Sequence, residues 1–260
     1  MKKDKILLQL DSLDDVKYFS ELGITNFLFA MEGYSIGYKT YKLEELKDID
    51  NAYILVNRLL TDDDIDEFLK IDIPSNIKGF IIEDVGLYEE LKERGYTLIN
   101  FQNHLNANCE TVNYWLKYYD SLVISTDITK EEVTKIVEKA NKKLVLNTFL
   151  YPMIMYSRRK LLSNYHEYMK DENKSSLKIN NKNSCFFLKE NEYGTATFNS
   201  IPLDARSIID DNLDKNILFY LINGAYLDRN VIEDVINGRD VESTKGFLEE
   251  KTVYKVGDLK

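Results

Sequence analysis

The chain has 260 residues, a formal charge of −10 and 44% hydrophobic side chains, a length unusual for one ordinary domain but normal for an α/β barrel. The acidity argues against broad, non-specific nucleic-acid binding, whose affinity comes from phosphate neutralisation, and leaves room for a local basic site. The two cysteines, Cys109 and Cys185, stand apart in the sequence. They exclude a four-ligand structural zinc or a four-thiolate iron–sulfur cluster, so no cofactor is expected.

Three prolines and 11 glycines leave little material for disordered linkers. No apolar run reaches the roughly 20 residues of a membrane span, and the opening segment is too short for a secretion signal. A cytoplasmic protein without membrane attachment is expected. Short apolar runs at residues 6–10, 26–30, 52–56, 79–83, 97–101, 121–125 and 143–149 predict strands. Helical patterns follow most of them: to Leu22, at 41–47, from Thr61, at 87–94, 109–119 and 129–139. Asp62, Asp64 and Asp66 resemble the start of a calcium loop, but the glycine and closing glutamate are missing and a capped helix start explains them.

After residue 149 the alternation breaks. Residues 171–183 read as a polar, mobile loop, and the runs 184–188 and 195–198 flank a turn, Glu192-Tyr-Gly-Thr, as a β-hairpin. A helix at 203–211, an eighth strand at 217–222 and a helix at 230–237 complete the series, with an extended tail at 247–256. The expected architecture is α/β: a (β/α)8, TIM-like barrel over 1–240, regular or degenerate, with a hairpin insertion at about 171–200 and a tail at 241–260. A doubly wound open sheet is the alternative, because periodicity does not distinguish a closed sheet from an open one.

In a barrel, function lies at the C-terminal ends of the strands. Those ends carry Asn57 and Arg58, Glu83 and Asp84, the amide-rich run from Asn100 to Asn108 that includes Asn103 and His104, and Ser125 to Asp127. Asp84, His104 and Asp127 are the catalytic candidates. Two carboxylates facing one mouth suit acid–base chemistry, whereas acids ahead of a helix also serve as caps. Between Glu138 and Glu167 there is no acid but six basic residues, with Phe149, Tyr151, Tyr156 and Tyr165 interleaved. Tyr156, Ser157, Arg158, Arg159 and Lys160 are therefore expected to hold an anionic ligand, phosphate or carboxylate, together with Asn57, Asn103 and Asn108. Ser157 and Lys160 also match Ser-x-x-Lys, without the supporting Lys-Thr-Gly of serine–lysine enzymes.

Several segments together resemble the collagenase-like peptidase family, U-thirty-two, in its short, cysteine-poor bacterial form. They are Gly79-Phe-Ile-Ile-Glu-Asp-Val-Gly86, the segment Asn103 to Asn108 with Glu110-Thr-Val-Asn-Tyr-Trp115, and Val123-Ile-Ser-Thr-Asp127. Tyr156-Ser-Arg-Arg-Lys160, Glu192-Tyr-Gly-Thr and Ile222-Asn-Gly-Ala-Tyr-Leu227 continue the likeness. The resemblance implies a barrel and either peptidase activity or hydroxylation of transfer RNA, ribosomal RNA or quinones, often with an iron–sulfur cluster. Where the family signature carries glycine and cysteines, this chain has Tyr151-Pro-Met-Ile-Met155 and Lys160. The expected role is accordingly RNA hydroxylation beside a cluster-bearing paralogue, with an endopeptidase and a non-catalytic binding subunit as alternatives.

Overall fold

A computed structural model describes residues 1–102, 104–181 and 184–250. Among the described residues fourteen strands run in chain order: β1 (Ile6–Gln9), β2 (Asn26–Met31), β3 (Thr40–Tyr41), β4 (Ala52–Val56), β5 (Ile77–Ile82), β6 (Thr97–Phe101), β7 (Ser121–Val123), β8 (Leu144–Leu150), β9 (Met153–Ser157), β10 (Ser176–Asn181), β11 (Ser184–Asn191), β12 (Gly194–Asn199), β13 (Leu203–Asp204) and β14 (Ile217–Asn223). The helices are α1 (Asp14–Glu21), α2 (Asp62–Phe68), α3 (Tyr88–Glu93), α4 (Cys109–Trp115), α5 (Lys130–Lys139), α6 (Leu161–Met169) and α7 (Arg229–Ile236).

Eight strands, β1, β2, β4 to β8 and β14, pair in parallel around a closed ring. β1 closes it, pairing with β2 on one side and with β14 on the other, Ile6 opposite Tyr220 through Gln9 opposite Asn223. That pairing settles the closed barrel over the open sheet. Alternation puts one set of side chains inside: Leu7, Leu28, Leu55, Ile81, Ile99, Val123, Val145, Phe219 and Leu221 fill the interior as a packed core. The other set meets the helices. α5 buries Val133, Ile136 and Val137, and α7 buries Ile232, Val235 and Ile236, each set at helical spacing against the outside of the barrel. Thr61 and Thr129 start α2 and α5 with reciprocal capping boxes.

Between β8 and β14 the chain builds a second sheet, antiparallel in the order β10-β11-β12-β9. Its inner face rests on the loop after β2, where Ile36, Phe187, Ala196 and Phe198 form a small core with Tyr38, Tyr151, Met153, Tyr156 and Tyr226 against it. Gly37, with φ +82°, is the point of closest approach. A Cβ there would stand 2.7 Å from the Phe198 ring and 2.9 Å from Ala196.

The insertion is thus larger than a hairpin. The segment expected as a polar loop supplies β10, which pairs with β11 from Ser176 opposite Lys189 onward. The helix expected at 203–211 is absent. β13 pairs with β8, and the Asp204 carboxylate turns back on the Arg206 backbone N–H at 3.0 Å and on its guanidinium, leaving a 3₁₀ turn at Arg206–Ile208. Residues 41–47 likewise yield a 3₁₀ turn, Leu43–Leu46. Asn103 and residues 251–260 of the tail lie outside the described residues.

Candidate functional site

Two residues beyond the apolar interior, toward the C-terminal ends of the strands, the inward positions change character. Gln9, Asn57, Glu83, Ser125, Asn147 and Asn223 follow Leu7, Leu55, Ile81, Val123, Val145 and Leu221 at strand spacing, so a polar layer floors the mouth of the barrel. All but Glu83 are buried. Tyr38 joins this layer to the small sheet, packing against both cores. Burial pushes its phenol upward, and that of Tyr226 as well.

Glu83 immediately follows β5, and two further groups follow the next two strands. Burial pushes its carboxyl up to about 7; the charge of Asp84 adds to the shift and that of His104 opposes it. His104, after β6, presents Nδ1 2.5 Å from Asp127 Oδ2, after β7. The Asp127 carboxylate accepts from Nδ1–H and so orients the imidazole ring. A carboxyl poised near neutrality beside an Asp-oriented imidazole is an arrangement able to hold and move protons.

The other predicted residues have different tasks. Asn57 is spent on backbone, its amide paired with both the N–H and the carbonyl of Ile36. Asp84 accepts from Leu60 N–H at 3.0 Å and Gly86 N–H at 2.9 Å, tying together the loops after β4 and β5. Asn108 caps α4, accepting from Thr111 N–H at 3.0 Å. Within the same run Asn106 donates to Asn100 and to the Val123 carbonyl, so these amides largely bind their own loop. Asn103 lies outside the described residues.

The basic stretch leaves the barrel and enters the small sheet. Tyr156 in β9 lies where the charges of Arg58 and Arg158 favour its phenolate, against the larger effect of burial and the repulsion of Glu83. Arg58 is buried, paired with Asp64 and stacked 4.1 Å from the centre of the Tyr193 ring. Ser157 Oγ accepts from Arg159 N–H at 3.2 Å, and among the described residues no hydrogen bond links it to Lys160. The start of α6 is already occupied: Glu190 from β11 accepts from the N–H groups of Leu162 and Ser163 at 2.7 and 3.0 Å. Despite partial burial, these hydrogen bonds and those of the Ser163 and Thr195 hydroxyls hold its carboxyl below the usual range.

Arg158, Arg159 and Lys160 are exposed. Of the chain's seven arginines, Arg58, Arg94, Arg206, Arg229 and Arg239 each hold a carboxylate. Among the described residues Arg158 and Arg159 have no acidic partner. The insertion around them, residues 151–199, contains eight Lys and Arg against five Asp and Glu in a chain of net charge −10. Tyr165 and Tyr168 on α6, the helix that follows the cations in the chain, are exposed, as are Ile154 and Met155 on β9.

Sequence reading passed over Gln9, Tyr38, Asn147, Asn223 and Glu190. The first, third and fourth carry a signal: each is an amide at an inward position just beyond an otherwise apolar strand core. As for metals, Cys109 begins α4 and Cys185 lies in β11, and among the described residues no group of three or more His, Cys, Asp or Glu is placed to hold an ion. This donor set does not fit the four-thiolate cluster that the resemblance implies. Among the described residues no helix is long and apolar enough to cross a membrane.

Comparison with curated proteins and with solved structures finds no match. The profile of Peptidase family U32 matches residues 40–236, from β3 through the small sheet and β14 to the end of α7. That span holds Glu83, the His104–Asp127 pair and the cationic insertion, and covers most of the barrel: the chain belongs to Peptidase family U32.

Proposed function

We propose that this chain binds RNA across the cationic face of its small sheet and serves RNA hydroxylation, with a cluster-bearing paralogue of the same family supplying the redox chemistry. The observation that carries the reading is the adjacent pair Arg158–Arg159, the two arginines without a carboxylate among the described residues of an acidic chain. A guanidinium fork matches a phosphate with two parallel, charge-assisted hydrogen bonds, and the exposed Tyr165 and Tyr168 offer ring faces on which unstacked bases rest. No redox step is assigned to this chain, because its two thiols do not make a cluster site.

The test is anisotropy of a labelled single-stranded RNA over a salt series, with wild type and the Arg158→Ala/Arg159→Ala double variant. Loss of two phosphate contacts should lower affinity about 10- to 100-fold and flatten the log–log salt slope by about 1.4. Unchanged affinity and slope would remove the RNA reading. The hydroxylation role is checked by mass spectrometry of nucleosides from cells lacking the gene, and the paralogue by purification of the native protein with whatever iron-bearing chain accompanies it.

The His104–Asp127 pair beside Glu83 favours a second reading, hydrolysis at the mouth. His104, oriented by Asp127, would take a proton from water as its oxygen attacks an amide carbonyl. Glu83 would give a proton to the departing amine as the C–N bond breaks, leaving acid and amine. Cleavage of denatured protein by the chain alone, lost in both Glu83→Gln and His104→Ala, is the expected result of that reading. An inert wild type with intact RNA affinity supports a binding subunit.

A further inference from the structure

On the outside of the barrel, away from the cationic sheet, α3 and α4 leave a hollow of about 350 Å³ walled by Tyr88, Tyr114, Trp115, Tyr118 and Tyr119, with Glu89 at its edge. The rings do not lie parallel. Tyr88 meets Tyr118 at 88° and Tyr119 at 54°, Tyr114 meets Trp115 at 79° and Tyr118 at 59°, and Trp115 meets Tyr119 at 70°. Parallel rings at one spacing would clamp a flat aromatic ligand. Steeply crossed rings instead leave no parallel slot and border a rounded space, and the electron-rich rings of Tyr and Trp favour a compact cation there.

One further observation gives the hollow its charge preference. Glu89 is exposed and, among the described residues, forms no ion pair that would neutralise it. Lys117 sets its ammonium 5.5 Å from the centre of the Tyr114 ring, so that ring already has a cationic partner and Tyr88, Trp115 and Tyr118 are the rings left for an added cation. Tyr114 and Tyr118 remain 51% and 44% exposed, so their rings are open to a ligand from solvent. The hydroxyl of Tyr88 donates to the Tyr118 carbonyl at 3.1 Å, which ties the α3 wall to the end of the α4 wall.

We infer that the hollow between α3 and α4 is a binding site for a methylated ammonium group, held by the rings of Tyr88, Trp115 and Tyr118 and by the charge of Glu89. The ligand class is the trimethylammonium cation, whether on a free choline-type solute, a methylated lysine side chain or a choline lipid headgroup. The site is independent of the RNA reading and of the mouth of the barrel.

The chain has a single tryptophan, and it lines this hollow, so intrinsic fluorescence reports on the site directly. Tetramethylammonium chloride is titrated at constant ionic strength, and 3,3-dimethyl-1-butanol, the uncharged isostere of choline, serves as the control. The expected result is a saturable Trp115 change with tetramethylammonium and choline, and none with the alcohol. Glu89→Gln should weaken the response about three- to tenfold, and Tyr118→Leu about three- to thirtyfold, the range of cation–π contacts from exposed to desolvated sites. Circular dichroism confirms that each variant is folded; because Glu89 is exposed, its variant keeps the test valid if Tyr118→Leu does not fold. A trimethyllysine peptide and phosphatidylcholine vesicles, run as separate arms, identify the source of the group. Equal response to the alcohol and the cation would overturn the inference, as would a flat titration with all four cationic probes.

Discussion

Both ends of the Asn57 amide close on the backbone of Ile36: Oδ1 accepts from its N–H at 3.0 Å and Nδ2 donates to its carbonyl at 3.2 Å. A buried side chain at the end of β4 thus does the work of a strand neighbour for a loop. The loop it pins carries Ile36, Gly37 and Tyr38, the surface on which the small sheet rests. Asn57→Ala should leave a buried N–H and carbonyl unpaired and cost about 2–4 kcal/mol in urea unfolding, at about 1–3 kcal/mol per stranded group less partial relief by water. Asn57→Asp should be no better, since a carboxylate has no donor for the Ile36 carbonyl.

Glu83 makes stability depend on pH in the opposite sense to most carboxylates. Burial raises its pKa from an ordinary 4.5 to about 7, so the folded state holds the proton more tightly than the unfolded state between those limits. Its cost to stability is absent below the unfolded pKa, grows as pH rises and is complete above the folded pKa. Glu83→Gln should therefore unfold like wild type near pH 4 and be more stable at pH 8, by on the order of 2 kcal/mol. Equal stability at both pH values would show that the carboxyl is ordinary.

Asp214 works the other way, at the opposite end of the barrel. It accepts from Lys2 at 2.7 Å and from the Tyr220 hydroxyl at 3.0 Å, with Lys5 also 3.0 Å away, and so ties the start of β1 to the approach of β14. Although desolvation acts to raise its pKa, these partners together depress it from 3.8 to about 2. The stabilisation is present above the unfolded pKa and disappears as pH falls through the folded one. Asp214→Asn should destabilise by about 1–3 kcal/mol at pH 7, the range for hydrogen bonds to a charged group. The gap to wild type should narrow between pH 4 and pH 2, as guanidinium unfolding at several pH values would show.

The barrel was largely legible because its strands are short apolar runs bounded by caps such as Thr61 and Thr129, which act locally. Closure was not, since it rests on the pairing of Ile6 with Tyr220, more than two hundred residues apart. β10 escaped notice because a strand of Ser, Lys and Asn around Leu177 and Ile179 is defined by its partner β11, not by its own composition. At the site, strand ends located Glu83, His104 and Asp127. Sequence alone does not show whether an amide there faces a ligand or its own backbone. Asn57, Asn108 and Asp84 face backbone; Gln9 and Asn147, unremarked in the sequence, floor the mouth.

Gly194 separates placement of the cations from the cations themselves. It follows the two-residue turn Glu192–Tyr193 between β11 and β12, with φ +143°, and its Cα faces the chain where β9 runs into the arginines. A Cβ there would stand 2.1 Å from the Ser157 carbonyl oxygen and 2.9 Å from the Arg158 Cα, both backbone atoms. Relief requires β12 and the Ser157–Arg158 segment to part, which also disturbs the Thr195 hydroxyl that accepts from the Leu161 N–H at 2.9 Å at the start of α6. Gly194→Ala should cost about 2–4 kcal/mol, from steric overlap added to a backbone conformation that side chains resist. It should also lower RNA affinity although every positive charge remains. Arg158→Ala/Arg159→Ala should do the reverse, losing affinity while the urea midpoint moves by no more than about 0.5 kcal/mol, as for exposed charges without partners. Measuring both quantities on both variants distinguishes a positioned cationic site from a merely basic surface. If Gly194→Ala loses stability and keeps full RNA affinity, the geometry of the stretch is irrelevant to binding and only its charge matters.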